Sequence, residues 1–494
     1  MLSGKPQRLL GDTDTGFHIK TGQIILETRS VPKHDLYSFH SPALPWTAHA
    51  WLSEVIMALL HGAFGLTGVA IFFAFVIAST YYILFRSLRA YNRDILLSTA
   101  FVFLVMASSI LHWLARPHIF SLLLTVLFSH LLEEYQYHNR NRLYVLPVLM
   151  FLWVNLHGGF ILGFVLIGLY LAGNLFRVLF GLRNAPEIGG KVLPLAFVFL
   201  GSLLASLLNP YGYHILTFPF TLVSDSFLMD HIAEYLSPDF HRTMPFRYLI
   251  FLTIVVVAIS RSPFDPIELM LIIFFTHMGL YSVRYIPLSA IVVCPILVRH
   301  AESLLANIQG SGVAFFRQRS ENIARIDSSS NGCFWTTAII GALCVASASG
   351  KLHFQFDEET PFAAVEFLKQ ETLNGNMFNN DMYGDYLIYA AWPQYKVFID
   401  GRFDMYGSSL IKDYVEVGRL SPEWQQVLDK YHINWVFDAA NSPLSLLLLE
   451  RQDWRLIYAD KVSYIFLKDA PENQAVLQKF RQVKPLPHEG IHIQ

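Results

Sequence analysis

Between residues 66 and 350 this chain is a succession of long apolar runs, and they fix the medium in which it folds. A helix needs roughly 17–25 mostly apolar residues to cross a bilayer. Ten runs approach that length, near 66–86, 95–114, 118–134, 143–157, 159–180, 192–208, 246–261, 266–283, 285–299 and 334–350. Several are short, and the run at 143–157 contains Pro147, so re-entrant pairs remain an alternative to full crossings. The charge content agrees with a polytopic membrane protein: 15% of the 494 residues are charged, against about a quarter in a soluble domain.

Other classes drop out quickly. A net charge of -2 gives no footing for nucleic acid. The three cysteines, Cys294, Cys333 and Cys344, lie in or beside apolar runs, which leaves neither a disulfide framework nor a Cys-rich metal site. No H-E-x-x-H, G-x-S-x-G or Walker A pattern is present, so zinc hydrolysis, a serine nucleophile elbow and a P-loop have no motif behind them.

Lys and Arg in the connecting loops set an orientation. Arg86, Arg89 and Arg93, then Arg140 and Arg142, Arg183 and Lys191, Arg261, and finally Arg299, Arg317, Arg319 and Arg325 fall on alternate loops and read as cytoplasmic. The opposite loops then collect the unusual polar clusters: DTDTGFH (12–18), RPH (116–118), NLHGG (155–159), NPYG (209–212), EYLSPDF (234–240) and VRYIP (283–287). Functional polar residues gather on such loops.

Residues 1–65 are expected to form a first outer loop. Its last part, WLSEVIMALLHGAF (51–64), is too short to span and reads as an interfacial helix. The first ten residues hold no apolar run, so no signal peptide or spanning helix is expected ahead of the aspartates. Residues 66–300 form the transmembrane core, 301–333 a polar cytoplasmic loop, and 334–350 a last span. From about 355 to 494 the composition turns mixed, as in a small α/β domain outside the membrane. Strands are expected at 395–402, 433–439 and, as a hairpin, 454–469, with helices at 362–370 and 423–432. No internal repeat is visible.

Two groups of residues stand out chemically. Asp12 and Asp14 form an Asp-x-Asp, which can hold a divalent cation through oxygen or supply a general base. Equally, either aspartate can cap a helix running through FHIKTGQIIL. Arg116 and Arg284 each sit at the outer end of a span. Their guanidinium groups suit a phosphate; the alternatives are snorkelling to lipid headgroups or pairing with a carboxylate such as Glu234. Tyr285 adjoins Arg284. His18, His49, His118 and His157 are candidates for metal binding or proton relay, although Asn155 and His157 are read first as caps of a helix hairpin turning at Gly158–Gly159. In the tail, Asp400 and Arg402 of FIDGRFDMYG are read as a buried ion pair ahead of a ligand site.

DTDTGFHIKTGQIIL, VPKHDLYSF and PWTAHAWLSEV resemble the first outer loop of the GT-C superfamily of membrane glycosyltransferases. RPHIFSLLL, NLHGGFILG, LLNPYG, EYLSPDF and SVRYIPL resemble a bacterial branch of it, and the tail resembles a domain often attached in that branch. The likeness implies a helical bundle with a catalytic first outer loop, in a bacterial cell membrane, and a polyprenyl-phosphate sugar as donor. It matches Asp12 and Asp14 to the Asp-x-Asp position and Asp35 to a second loop aspartate, sometimes with magnesium or manganese. It also matches residues 51–64 to a juxtamembrane helix. Three departures are visible: no helix precedes the Asp-x-Asp; His49-Ala50-Trp51-Leu52 lacks an acid often found there, with Glu54 one turn on; and Tyr235 stands where tryptophan often follows Glu234.

The expected function is transfer of a sugar from a polyprenyl-phosphate carrier to a cell-envelope acceptor, with inversion. The alternatives are a non-catalytic or transport protein that binds lipid-linked glycans, and a degenerate scaffold. The tail is expected to recognise the acceptor or a partner.

Overall fold

The computed structural model describes residues 9–91, 94–181, 185–242, 244–260, 262–329, 341–342, 345–346, 349–350 and 353–486. Its backbone contacts divide the chain into two units. One comprises Met1–Ala63, Asp225–Leu228 and Gln355–Gln494, the other Phe64–Ser224 and Met229–Phe354.

Helix α1 (Asp14–Thr28) starts at the Asp-x-Asp. Asp12 Oδ1 accepts from the Asp14 amide at 2.9 Å, satisfying one of the N–H groups that a helix start leaves orphaned. Asp14 is the first helical residue, where the helix dipole favours a carboxylate. The N-cap position itself is Thr13, whose side chain makes no capping bond, so neither aspartate is the N-cap; Asp12 serves the helix start from one residue earlier. Helix α1 is buried around most of its circumference, which requires close approach on two sides. Gly22 meets the backbone of Glu54 with no room for a Cβ, and Gly16 lies where a Cβ would be 2.8 Å from that of Tyr389.

Helix α2 (Trp51–Tyr91) is broken at Gly65 (φ 62°, ψ -163°), a left-handed conformation that glycine adopts without penalty. The stretch 51–64 is thus a separate helical segment, as its composition predicts.

The chain continues with α3 (Ile95–Ser109), α4 (His118–His138), α5 (Val145–Leu156), α6 (Ile161–Leu179), α7 (Ala185–Ser206), α8 (His214–Ser224), α9 (Ser226–His231), α10 (Pro245–Ile259), α11 (Pro266–Tyr281), α12 (Ile286–Ala306) and α13 (Ser311–Ser329). Five helical segments among the described residues are long and apolar enough to cross a membrane: Trp51–Ala90, Ile95–His112, Gly158–Leu179, Gly189–Ser206 and Val283–Ala306. Each of the first nine apolar runs falls on a helix; the tenth, 334–350, lies largely outside the described residues. The chain is a multi-pass membrane protein.

Several polar side chains inside the second unit pair with one another, as a low-dielectric interior favours. Gln136 and Asn174 exchange hydrogen bonds at 3.0 and 2.9 Å. Arg299 lies between Glu133 (3.1 Å) and Glu268 (3.4 Å). The polar stretch read as a loop folds as α13. Val313, Phe316, Ser320 and Ala324, among its partly or fully buried residues, recur at helical spacing. Ser320 donates to Asp94, the N-cap of α3, at 2.6 Å.

The carboxy-terminal domain contains α14 (Phe362–Gln370), β1 (Asn376–Asn379), α15 (Asp381–Ala391), α16 (Phe403–Gly418), α17 (Trp424–Lys430), β2 (Ile433–Ala439), α18 (Pro443–Leu449), β3 (Trp454–Ala459) and β4 (Ser463–Lys468). The sheet order is β1-β2-β4-β3, with β1 parallel to β2 and the remaining pairs antiparallel. The expected strand 433–439 and the hairpin at 454–469 are both present.

The expected strand at 395–402 does not join this sheet. Its backbone groups bond elsewhere: Val397 N–H donates to Tyr37 O (3.0 Å) and Val397 O accepts from Phe39 (3.3 Å). The Asn379 side chain serves Phe398 N–H (2.7 Å) and Ile399 O (2.8 Å). The first loop thus takes the place of a sheet neighbour, and amino- and carboxy-terminal segments form one unit.

Candidate active site

The first unit gathers carboxylates from both ends of the chain. Asp14, at the start of α1, and Asp385, on α15, meet over Gly401. A Cβ at Gly401 would lie 3.0 Å from Asp14 Cγ and 3.2 Å from Asp385 Oδ2, so glycine is what lets the two carboxyl groups close over this backbone. The Gly401 amide donates to Asp385 Oδ1 at 3.0 Å. Asp385 is 1% exposed and Asp14 8%. Burial, the Asp14 charge and a hydrogen bond shared with Asp14 hold the Asp385 carboxyl well above the usual range, so this group carries a proton toward its neighbour. Asp12 is half-buried beside the pair. Asp381, one helical turn before Asp385 on α15, is also pushed up by burial, with Asp12 adding to the shift.

Asp35 occupies a different environment. Its Oδ1 accepts from Tyr37 N–H and its Oδ2 from Ser38 N–H, both at 3.0 Å, with the Ser38 hydroxyl also donating to Oδ2. Arg402 Nη2 donates to Asp35 Oδ1 at 2.8 Å. That guanidinium also grips Asp400 with Nε at 2.8 Å and Nη2 at 2.6 Å, while Tyr406 OH donates to Asp400 at 2.6 Å. It lies over the Tyr37 and Trp46 rings at 4.8 and 4.6 Å. Burial disfavours the charge of Asp35, but Arg402 and the loop donors outweigh it and hold this carboxyl below its ordinary value. The buried ion pair expected of Asp400 and Arg402 is present, extended to Asp35.

His18, on α1, bonds through Nδ1 to Glu54 Oε1 at 3.0 Å. Glu54 is 2% exposed, and its Oε2 has no hydrogen-bond partner among the described residues. His49 approaches Asp404 at 4.0 Å.

The arginine cluster belongs to the second unit. Arg116 Nη1 donates to Glu234 Oε1 at 2.7 Å. Arg284 Nη1 lies 3.8 Å from Glu234 Oε2 and donates to Tyr235 OH at 3.1 Å. Arg116 first, then Arg284, hold the Glu234 carboxyl far below the usual carboxylate range. The carboxylate-pairing alternative is therefore realised, with two guanidinium groups sharing one carboxylate. Tyr285 ends the short turn that carries Arg284. His118 bonds to the His112 carbonyl at 2.8 Å. His157 Nδ1 accepts from Gly159 N–H (3.0 Å) and lies 2.7 Å from Ser121 Oγ, contacts that serve the helix hairpin.

The sequence reading did not find Asp385 or Gly401. The available signal was Asp381–Asp385 in DMYGDYLIYAA, two acids four apart, which a helix puts on one face. Among the described residues no group of three or more His, Cys, Asp or Glu side chains is arranged to hold a metal ion.

No protein-family model and no curated protein sequence matches the chain. Solved structures do. The archaeal oligosaccharyltransferase AglB from Archaeoglobus fulgidus, in complex with an inhibitory peptide and a dolichol-phosphate, matches with a TM-score of 0.53 at 12% identity, over 94% of this chain and 71% of that one. An apo crystal structure of an oligosaccharyltransferase from the same organism matches with a TM-score of 0.49 at 11% identity, over the same shares. At such identity the likeness concerns the fold. The fold resembles that of the AglB oligosaccharyltransferase: mainly helical, with several apolar helices and a small four-stranded sheet towards the carboxy terminus.

Proposed function

We propose that this chain is a membrane glycosyltransferase that moves a sugar from a polyprenyl-phosphate donor to a cell-envelope acceptor, with inversion. The reading places it in the bacterial cell membrane with residues 1–65 and 355–494 outside the cytoplasm. The observation that carries it is the close carboxyl pair, Asp14 and Asp385, in a chain with this fold. The AglB structure with dolichol-phosphate supports a lipid-phosphate carrier as the donor class.

The chemistry makes two demands. The acceptor hydroxyl must lose a proton, and the departing lipid phosphate must have its charge balanced. Asp14 answers the first as general base, with Asp385, whose carboxyl is held well above the usual range by burial and by the Asp14 charge, beside it. Asp12 fixes the start of the helix that carries it. Asp35 holds the loop through Arg402. Arg116 and Arg284 answer the second, with Glu234 pairing them until the phosphate arrives.

The oxygens of Asp12 and Asp14 are of the type a hard cation such as magnesium or manganese takes, but the described acids are not arranged as a metal site, so no step is assigned to one.

The test is release of free polyprenyl phosphate from a panel of polyprenyl-phosphate sugars by the purified chain in lipid, with envelope extract as acceptor. Release that is lost in Asp14→Asn and strongly reduced in Asp12→Asn is expected. Undiminished release in both variants overturns the assigned roles. No release from any donor by a folded chain favours a protein that binds lipid-linked glycans without catalysis.

A further inference from the structure

We infer that the carboxy-terminal domain sets the position of the catalytic carboxylate, with Gly401 as the seat on which Asp14 rests. This rests on the assignment of Asp14 as the base. It gives the tail a role in the reaction itself, in addition to any recognition of acceptor.

The contacts between the two ends of the chain are of the kind that fix a side chain to within a fraction of an ångström. Thr13 Oγ1, one residue before Asp14, donates to the Met382 carbonyl on α15 at 2.7 Å. Gly16 packs α1 onto α15 at a distance no larger residue allows. Arg402, adjacent to Gly401, holds Asp35 and stacks on Tyr37 and Trp46 of the same loop. The Asp14 carboxyl therefore touches the tail on one side through Gly401 and on another through Asp385. A general base displaced by an ångström loses much of its advantage, because proton abstraction needs hydrogen-bond reach to the acceptor.

Gly401 is in this sense a positioning residue. Its substitution by alanine puts a methyl group against Asp14 Oδ1, and the carboxylate must move. In the proposed mechanism the donor phosphate is held by Arg116 and Arg284 and not by this contact, so the effect belongs in kcat and not in KM.

The experiment measures donor turnover and thermal unfolding of Gly401→Ala, Thr13→Val and Asp14→Asn in lipid. The expected result is a fall in kcat of tenfold or more for Gly401→Ala and a smaller fall for Thr13→Val, each with donor KM within about twofold of the parent. Thr13→Val removes a single hydrogen bond and gives a folded second probe should Gly401→Ala unfold. Full turnover in folded Gly401→Ala, or in Thr13→Val where the first does not fold, overturns the inference while Asp14→Asn remains inactive. A rise in KM at unchanged kcat also overturns it, since the tail would then act on substrate binding. Full turnover in Asp14→Asn removes the premise and is distinguishable from both.

Discussion

Arg402 donates to Asp35 at 2.8 Å, from residues 367 positions apart, with each side chain only 2% exposed. Such a pair offers little net stability over an apolar replacement, but breaking it strands a charge, which costs about 3–5 kcal/mol. Arg402→Met is therefore expected to lower the unfolding midpoint sharply, since it strands both Asp35 and Asp400. Asp35→Asn leaves the Asp400 bonds in place and is expected to cost less. Thermal unfolding of the two variants checks this; equal and small effects would show that the pair is not buried in the folded protein.

Gly22 faces the Glu54 backbone without room for a methyl group. Gly22→Ala must push α1 off the start of α2, an overpacking change worth about 1–3 kcal/mol. Gly62 has nothing within 4 Å of its Cβ position, so Gly62→Ala serves as a control in the same region. The control is expected to be neutral or slightly stabilising through helix propensity. Denaturant or thermal midpoints that fall equally in both variants would contradict the close approach at Gly22.

Asp438, on β2, is pushed up to about 6 from 3.8, chiefly by burial. A raised folded value means the folded protein binds the proton more tightly than the unfolded chain. Its contribution is complete below pH 3.8 and is lost as the pH rises through about 6. The total is on the order of 2–3 kcal/mol. Asp438→Asn removes this slope, so the difference in midpoint between variant and parent should grow in the variant's favour from pH 4 to pH 7. A constant difference across that range would rule out a shifted Asp438.

Glu234 is held between Arg116 and Arg284, both of which depress its titration. If these arginines receive the lipid phosphate, the carboxylate competes for the same donors. Glu234→Gln is expected to tighten binding of polyprenyl phosphate several-fold, read by competition against a labelled lipid phosphate. Weaker binding would mean that the carboxylate orients the arginines more than it blocks them.

Much of this molecule is local chemistry and was legible in the sequence. The apolar runs specify helices because a bilayer leaves the backbone no other partner. The Asp12 bond at the start of α1, the break of α2 at Gly65, the 433–439 strand and the 454–469 hairpin follow from residue type at short range. Lys and Arg spacing and the Asp-x-Asp could be read without coordinates. The stretch 395–402 could not: it has strand composition, yet its partners are Tyr37 and Phe39, more than 350 residues away. The same holds for Gly401, whose small size matters only because Asp14 arrives above it, and for Asp385, whose proton is retained only because Asp14 and burial oppose its loss. Sequence determines which residues can be helical, apolar or charged. Which carboxylate shares a proton, and which is locked in an ion pair, is decided by long-range packing, because a carboxyl group's behaviour depends on its neighbours and its access to water.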